Sequence, residues 1–356
     1  MPFYRHRRLR SAAQHGCQIH AIRGVPVIFS QFTATAVKSP QFVADDYTVR
    51  MMSAALCPLA IVGPTASGKS DLSLALCEQL GGEVVNMDSM QLYRGMDIGT
   101  AKLSVEERRG IPHHLLDIWE VSQEASVQRY QERAEACITA LMARGVRPVL
   151  VGGSMMYYQS LVDAWRFPPT DVAVRSRWEA RAEDIGVHAL HAELAQKDPA
   201  AAAVIEENDE RRTIRALEVI ELTGQPYAAS MPTRREVPRW GTKVVGLATE
   251  SAWLNPRIDL RSRQMFDNGL VEETRGLVCE GLTRESTAGR AIGYAQVLDM
   301  DAGLLTPEEA VERTITGTRR YVRRQRSWFK RDPRITWFAA DTVSATGVCE
   351  ALHLDA

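Results

Sequence analysis

The residues with the clearest chemical potential lie in a glycine-rich segment, Gly63–Ser70, which reads GPTASGKS. Gly63 and Gly68 are spaced so that the backbone between them can curl and point successive N–H groups at an anion. Lys69 would bring a positive charge to phosphate oxygens, and the Ser70 hydroxyl stands where a phosphate-bound Mg²⁺ would meet it. The spacing is that of a phosphate-binding loop, and the alternative is a Gly/Ser-rich turn before a helix.

A carboxylate and a small-residue turn are the next chemical candidates. Asp88 follows a predicted strand, residues 83–87, and opens a segment of polar, aromatic and glycine residues that runs to Lys102. At such a position an aspartate can be a general base, a Mg²⁺ ligand or a helix cap. Gly152-Gly153-Ser154 follows the predicted strand 148–151, where small residues either let the backbone approach a ligand or only permit a tight turn.

The elements around these residues predict an α/β fold. Apolar Leu59–Val62 predicts a buried strand directly before the phosphate-binding loop, and an apolar repeat ended by Gly81-Gly82 predicts a helix after it. Further strands are predicted at 242–248 and 334–338, and a long amphipathic helix is predicted between them, from roughly Pro256 to Asn268. Open α/β sheets bind ligands at the carboxyl ends of their strands, which is where the loop and Asp88 lie. We therefore expect a P-loop NTPase-like parallel sheet flanked by helices.

Histidine and cysteine give little support for a metal centre built from side chains. His113 and His114 lie in a segment predicted to be a loop, without partner acids or cysteines at ligand spacing, so a surface or supporting role is favoured. The six cysteines are scattered along the chain, which argues against a zinc site or a disulfide framework and suits a reducing cytosol.

Chain length, net charge and the lengths of apolar runs indicate which kinds of partner the protein could have. The chain has 356 residues and a formal net charge of −1, so its global charge gives no indication of a nucleic-acid partner. No apolar run is long enough to cross a bilayer, and we expect no membrane partner. The expectation is a cytoplasmic monomer.

Four regions are predicted along the chain. Residues 1–52 form an N-terminal extension that is rich in arginine and has no acid before Asp45. It fits a mitochondrial-type transit peptide, a disordered tail, or a chain written from too early a start, with Met51 or Met52 as the real one. The other regions are an α/β core at 53–165 and 241–340, an inserted all-helical domain at 166–240, and a tail at 341–356.

Two predicted helices concentrate positive charge. Between Thr318 and Arg331 the chain has seven cations and no acid, interleaved with aromatic and amide side chains. Cations suit RNA phosphates and rings suit base stacking, although a docked helix with core aromatics and solvated charges fits the same pattern. The predicted helix 208–223 carries Arg211, Arg212 and Arg215, which form either a local positive cluster or a solvated face with intrahelical ion pairs.

The ordered set of motifs resembles the tRNA dimethylallyltransferases, also called tRNA isopentenyltransferases. The resemblance covers roughly residues 59–338, and it rests on several separated motifs rather than on the phosphate-binding loop alone. The motifs are GPTASGKS (63–70), DSMQLYRGMDIGTAK (88–102), PHHLLD (112–117), GGSMMY (152–157), NDERRTIRALEV (208–219), RSRQMFDNGLVEE (261–273), AIGY (291–294) and TRRYVRRQRSWF (318–329).

The resemblance implies transfer of a dimethylallyl group from dimethylallyl diphosphate to N6 of the adenine just 3′ of the tRNA anticodon, with release of diphosphate. The loop would then grip a leaving diphosphate, with Mg²⁺ as cofactor and Ser70 as its protein ligand. Asp88 would accept the proton of the exocyclic amine, with Lys69 and Ser154 as the other catalytic residues. The adenine would have to leave its stack, so base flipping is expected.

The resemblance also implies two sets of binding residues. The donor set is Gly63, Pro64, Thr65, Ala66, Ser67, Gly68, Lys69, Ser70 and Arg261. The tRNA set is Asp88, Ser89, Met90, Gln91, Ser154, Arg175, Arg211, Arg212, Arg215, Arg290, Gly293, Tyr294, Arg323, Arg324 and Gln325. The inserted helical domain would clamp the anticodon stem.

The chain departs from the family pattern at three places. Ser154 stands where the family commonly has threonine, so the hydroxyl is kept. Met155 or Met156 stands where glycine is often found. The residues 322–325 read Val-Arg-Arg-Gln in place of Ala-Lys-Arg-Gln, which keeps the charge but changes how phosphate is met.

Two other functions fit parts of the pattern. A small-molecule or nucleotide kinase would share the loop, Mg²⁺ and the aspartate after the second strand, but it would not need the basic helix or a third strand that ends in Gly-Gly-Ser. A non-catalytic RNA-binding protein with a vestigial nucleotide fold would not need the functional groups kept at Lys69, Ser70, Asp88 and Ser154.

Overall fold

The computed structural model describes residues 56–230 and 233–354, so the predictions for the N-terminal extension lie outside the described residues. The strands are β1 (Leu59–Val62), β2 (Gly82–Asn86), β3 (His113–His114), β4 (Arg147–Gly152), β5 (Lys243–Ala248) and β6 (Ile335–Ala339). The helices are α1 (Lys69–Leu80), α2 (Val127–Ala143), α3 (Met155–Val162), α4 (Val172–Ile185), α5 (Val187–Lys197), α6 (Pro199–Ala202), α7 (Glu210–Thr223), α8 (Ser251–Asp267), α9 (Leu270–Cys279), α10 (Tyr294–Asp301), α11 (Pro307–Phe329) and α12 (Ala345–Leu352).

The six strands form one parallel sheet in the order β3-β2-β4-β1-β5-β6, which confirms the predicted fold class. In register, Leu59 of β1 lies opposite Val149 of β4 on one side and Lys243 of β5 on the other. All four residues of β1 are buried because helices cover both faces. Alternate side chains of β1 therefore enter two different apolar clusters, Ala60 and Val62 in one, Leu59 and Ile61 in the other.

The parallel direction of the strands brings the candidate chemistry to one edge. The phosphate-binding loop follows β1, Asp88 follows β2, and Ser154 follows β4. Because β2, β4 and β1 are neighbours in that order, their carboxyl ends lie side by side.

The inserted helices α4 to α7 enclose an apolar cluster of their own. Leu190 and Leu194 of α5 pack there with Ile214 and Leu217 of α7, as the period of the sequence predicts. Asp209 caps the start of α7 by accepting a hydrogen bond from the Arg212 N–H, and Gly224 ends it in a left-handed conformation (φ 64°).

Three segments differ from the prediction. His113 and His114 form the short edge strand β3 rather than a loop, because their backbone pairs with β2. Helix α8 begins at Ser251 and continues through Pro256, which was predicted to start it. The expected tail contains α12, whose Val348 and Leu352 are buried against α1.

No helix in the described ranges is both long enough and apolar enough to cross a membrane.

Candidate active site

The loop between β1 and α1 has the conformation of an anion cradle. Gly63 (φ 154°), Ala66 (φ 62°) and Gly68 (φ 86°) all have positive φ, so the chain curls tightly before α1 begins at Lys69. The Ser67 hydroxyl donates a hydrogen bond of 2.8 Å to the Pro64 carbonyl, which closes the curl from inside. The positive end of the α1 dipole lies at this loop, which favours a bound phosphate.

Lys69 and Arg261 bring two half-buried cations to the cradle. Lys69 Nζ donates a hydrogen bond of 2.6 Å to the Pro64 carbonyl. Burial lowers the pKa of Lys69 to about 8, the Asp88 carboxylate opposes that shift, and the Arg261 charge adds to it. Burial likewise lowers the pKa of Arg261, against the opposing effect of Asp88. Two desolvated cations facing one carboxylate leave a net positive charge, which suits a diphosphate.

Asp88 is held at the end of β2 by a buried asparagine that the sequence prediction missed. Asn86 Oδ1 accepts a hydrogen bond of 2.8 Å from the Asp88 N–H, and Asn86 Nδ2 donates to the Asp88 carbonyl over 3.0 Å. The Tyr130 hydroxyl fixes the Asn86 carbonyl in turn, over 2.9 Å. A single polar residue, Asn86, within the otherwise apolar run 84–87 was the only sequence signal for this brace.

One oxygen of the Asp88 carboxylate is engaged locally, and the other is available. Asp88 Oδ1 accepts a hydrogen bond of 2.9 Å from the Met90 N–H, in the manner of an Asx turn. Across residues 56–230 and 233–354, no donor reaches Oδ2. Asp88 therefore has a fixed orientation and a lone oxygen with which to accept a proton.

Ser154 lies beside Asp88 through the backbone of Ser89. The Ser154 hydroxyl accepts a hydrogen bond of 2.9 Å from the Ser89 N–H and donates one of 3.1 Å to the Ser89 hydroxyl. It stands at the first turn of α3 without capping it. Ser154 is 7% exposed, so its hydroxyl lies inside the protein, behind Ser89, rather than on the protein surface.

Positions 152 and 153, directly before Ser154, are occupied by glycine because neighbouring protein atoms fill the space that a side chain would need. A Cβ on Gly152 would lie 2.5 Å from the Met87 carbonyl carbon, and a Cβ on Gly153 would lie 2.2 Å from Gln325 Nε2. The sequence left open whether a ligand or a turn requires small residues here, and neighbouring protein atoms account for both glycines.

Two adjoining cavities, of about 370 and 440 Å³, open onto these groups and share Lys69, Asp88 and Arg261 in their walls. The larger cavity runs along Ser67–Asp71 and is mainly polar, with the cations Lys69, Arg257 and Arg261 and the acids Asp71 and Asp88 in its wall. The smaller one extends to Ile258, Met265 and Ile292, which are apolar. The pair therefore suits a ligand with an anionic end and an apolar end, and the polar wall around Asp88 lies where the two ends meet.

The residues expected to contact tRNA fall into three locations. Met90, Arg290 and Tyr294 line the smaller cavity, and Gln91 lines the larger one. Gly293 begins α10 with φ 97°. Arg323 and Arg324 are exposed on α11, whereas Gln325 on the same helix is 2% exposed. Arg211 and Arg212 are exposed at the start of α7.

Tyr294 is a buried part of the wall. Its ring lies where a Cβ on Gly99 would be (2.4 Å), and its hydroxyl donates to the Glu273 carboxylate. Glu273 also accepts a hydrogen bond of 2.8 Å from the Ile98 N–H. Glu273 and Tyr294 thereby hold the 97–99 segment against the cavity, a role that the sequence prediction did not identify.

Arg175 and Arg215 share one buried carboxylate in the helical insertion. Glu218, whose side chain is 0% exposed, accepts a hydrogen bond of 2.9 Å from Arg175 Nη2 and one of 2.7 Å from Arg215 Nη1. Arg215 also donates to the carbonyls of Pro168 and Pro169, at the entry to the insertion. The Arg215–Glu218 pair is intrahelical, as in the alternative interpretation of this helix, but Glu218 is buried rather than solvated and Arg175 reaches it from α4. The two pairs fix both guanidinium groups in place.

The described residues contain no group of three or more His, Cys, Asp or Glu side chains that could hold a metal ion. Ser70 lines the larger cavity beside Asp71 and Asp88. Mg²⁺ commonly takes few protein ligands and completes its shell with substrate phosphates and water. The residues present therefore fit a Mg²⁺ that enters with a diphosphate.

Comparisons with known proteins agree on one family. Residues 91–332 match the family model described as IPP transferase. The chain is 66% identical over 287 residues to the tRNA dimethylallyltransferase of Corynebacterium efficiens, which covers 80% of this chain and 95% of that protein. It is 60% identical over 280 residues to that of Rhodococcus jostii, with coverages of 79% and 90%.

Solved structures agree with the sequence relatives. The tRNA isopentenylpyrophosphate transferase of Bacillus halodurans is similar with a TM-score of 0.61 at 40% identity, over 83% of this chain and 94% of that one. A eukaryotic dimethylallyltransferase acting on tRNA is similar with a TM-score of 0.72 at 27% identity, over 82% of this chain and 77% of that one.

Proposed function

The chain belongs to the IPP transferase family, and from this premise we propose that it transfers a dimethylallyl group from dimethylallyl diphosphate to N6 of the adenine immediately 3′ of a tRNA anticodon. The observation that carries the proposal is the meeting, at Asp88, of a polar cavity along the phosphate-binding loop and a more apolar cavity, with Lys69 and Arg261 in the walls of both. This arrangement suits a donor whose diphosphate leaves while its carbon chain stays beside a proton acceptor.

In the proposed reaction, the diphosphate lies along Gly63–Ser70. Loop N–H groups, Lys69 and Arg261 stabilise the charge that develops as the allylic C–O bond breaks and its electron pair leaves with the diphosphate. Ser70 would hold a Mg²⁺ that enters with the diphosphate, and this ion would supply further charge neutralisation. The apolar end of the donor extends toward Ile258 and Met265.

The acceptor amine needs help because its lone pair is delocalised into the adenine ring. As N6 forms the new C–N bond, Asp88 Oδ2 accepts the proton that N6 loses. The Ser154 hydroxyl donates its one proton to the Ser89 hydroxyl, so it would have to turn from Ser89 to offer a hydrogen bond to the amine or to the diphosphate. The enclosed position of Asp88 requires that the adenine leave its stack, at a cost of a few kcal/mol by rough estimate.

The tRNA itself would lie across α11 and the helical insertion. Arg323 and Arg324 are exposed on α11, and Arg211 and Arg212 are exposed on α7. Exposed arginines of this kind bind phosphates and position an RNA without reading its sequence. We further propose that the protein acts as a monomer in the cytoplasm, a reducing compartment that suits the five free cysteines of the described residues.

One assay tests the proposal and separates its alternatives. Purified protein is given unmodified tRNA, labelled dimethylallyl diphosphate and, as a competing donor, labelled ATP. Label from the prenyl donor in tRNA supports the transferase. Phosphoryl transfer from ATP would instead support a kinase, and tight tRNA binding without either transfer would support a non-catalytic RNA-binding protein.

A further inference from the structure

The side-chain amide of Gln325 joins the two halves of the site. Gln325 Oε1 accepts a hydrogen bond of 3.3 Å from the Thr65 N–H, inside the phosphate-binding loop. Its Nε2 donates one of 2.9 Å to the Gly153 carbonyl, directly before Ser154. One planar group thus spans the donor cradle after β1 and the turn after β4.

The surroundings of this amide leave little freedom. Gln325 is 2% exposed, and its Nε2 occupies the space that a Cβ on Gly153 would need. Tyr321, one turn earlier on α11, places its hydroxyl 3.4 Å from the same Gly153 carbonyl. Burial raises the pKa of Tyr321 to about 12, so its phenol remains a neutral donor. Two donors from one helix therefore converge on the Gly153 carbonyl.

The burial of Gln325 separates it from its basic neighbours. Arg323 and Arg324 are exposed and available to RNA, whereas both polar groups of the Gln325 amide are directed to backbone atoms of the protein. Both hydrogen bonds of the amide are therefore made within the protein, and the 2% exposure of Gln325 keeps it away from the surface that carries Arg323 and Arg324.

We propose that Gln325 is a positioning residue, which fixes the separation of the phosphate-binding loop and the Ser154 turn so that the donor carbon meets the acceptor amine. The inference rests on the proposed transferase function and reassigns Gln325 from tRNA contact to alignment within the protein. An amide is required because one position must accept from Thr65 and donate to Gly153 at once. Misplacement of reacting groups by about 1 Å costs rates of order 100-fold.

The test is Gln325→Met, which keeps the length of the side chain and removes both hydrogen bonds. At saturating tRNA and dimethylallyl diphosphate, kcat per folded molecule should fall roughly 10- to 100-fold. The dissociation constant for an anticodon stem-loop, measured by fluorescence anisotropy, should stay at the wild-type value. Gln325→Glu, which keeps an acceptor for Thr65 but loses the donor to Gly153, should show the same division between kcat and affinity.

Two control variants distinguish a positioning role of Gln325 from RNA contact and from a nonspecific effect of substitution. Arg324→Gln, one residue away on the exposed face, should instead weaken stem-loop binding and raise the KM for tRNA. Gln128→Met, on the exposed face of α2, should change neither quantity.

Each remaining outcome would overturn the inference. An unchanged kcat in Gln325→Met would remove the positioning role, and a loss that disappears at saturating tRNA would return Gln325 to RNA contact. If both Gln325 variants fail to fold, as judged by far-UV circular dichroism, the residue is needed for stability rather than alignment. Absence of transfer by the wild-type protein would instead refute the proposed function.

Discussion

Gly152 lies directly against Met87. A Cβ at position 152 would be 2.5 Å from the carbonyl carbon of Met87 and 2.7 Å from the Cβ of Met87. Met87 immediately precedes Asp88, so the end of β4 sets the position of the proposed general base. The contact involves backbone atoms, which cannot turn aside as a flexible side chain can.

Gly152→Ala should therefore displace the Asp88 turn. We expect a loss of about 1–3 kcal/mol in the free energy of unfolding from overpacking, together with a lower kcat. Urea denaturation and the prenyl-transfer assay measure the two effects. Gly276→Ala is the matched control, because a Cβ at position 276, on the exposed side of α9, would have no atom within 4 Å. It should stabilise the helix by about 0.5–1 kcal/mol. Equal behaviour of the two variants would contradict the packing argument.

Asp88→Asn retains an oxygen for the Met90 N–H but removes the proton acceptor. We expect kcat to fall about 10²- to 10⁴-fold, the range for a lost general base, while stem-loop affinity stays unchanged. Asp267→Asn, on an exposed residue at the end of α8, should have wild-type kcat. An Asp88→Asn enzyme with normal turnover would exclude Asp88 as the base.

Diphosphate binding should weaken as the pH rises above about 8, the pKa to which burial lowers Lys69. The anion binds the protonated lysine better, so the complex holds the proton to a higher pH than the free protein does. Between the two pKa values the dissociation constant for pyrophosphate should rise by about tenfold per pH unit, since one proton is taken up on binding. Calorimetric titrations from pH 7 to 9.5 measure this dependence. It should vanish in Lys69→Met, and a flat wild-type profile would show that Lys69 does not contact the anion.

Glu218→Gln should destabilise the helical insertion. It removes the charge that two arginines share, and breaking a buried ion pair commonly costs about 3–5 kcal/mol, with less expected here because the amide keeps some hydrogen bonds. Burial alone would raise the pKa of Glu218, yet hydrogen bonds from Arg215 and Arg175 hold it below 4.5. The stabilisation is therefore present above pH 4.5 and lost as the pH falls through the lowered pKa. The difference in urea midpoint between variant and wild type should shrink in acid. Glu179→Gln, on the exposed side of α4, should show no difference at any pH.

Arg323→Gln and Arg324→Gln should each weaken tRNA binding and reduce its salt dependence. Removing one arginine–phosphate pair lowers the slope of log affinity against log salt by about 0.7–0.9. Arg133→Gln, exposed on α2, should leave the slope unchanged. Wild-type slopes in both α11 variants would show that the basic helix does not meet the RNA backbone.

The strands and the cradle could be predicted from the sequence because their signals are local. Leu59–Val62 is an apolar run bounded by a glycine, and Gly81 and Gly224 end helices by adopting positive φ. The edge strand β3 was missed because two histidines make no apolar pattern, and only the neighbouring edge of β2 makes them a strand.

The hydrogen bonds that hold the site in place could not be predicted from local patterns, because they join residues that are far apart in the sequence. Glu273 bonds to the Asp97 N–H across 176 positions of sequence, and Gln325 bonds to Thr65 across 260. In both cases the residue type is compatible with an exposed helix face, and burial by distant elements decides its role. Pro256 misled the prediction for a different reason, since proline favours the first turn of a helix but α8 carries it inside.

Helix α12 has a consequence for biosynthesis. Its Val348, Cys349 and Leu352 complete the apolar cluster formed by Leu72 and Leu76 of α1, the helix that carries Lys69 and Ser70. On the ribosome, α1 emerges about 270 residues before its cover, and β5 and β6 are also made late. A nonsense mutation after β6 would thus release a chain with every proposed catalytic side chain but a bare apolar face on α1, which favours capture by chaperones and proteases over a working enzyme.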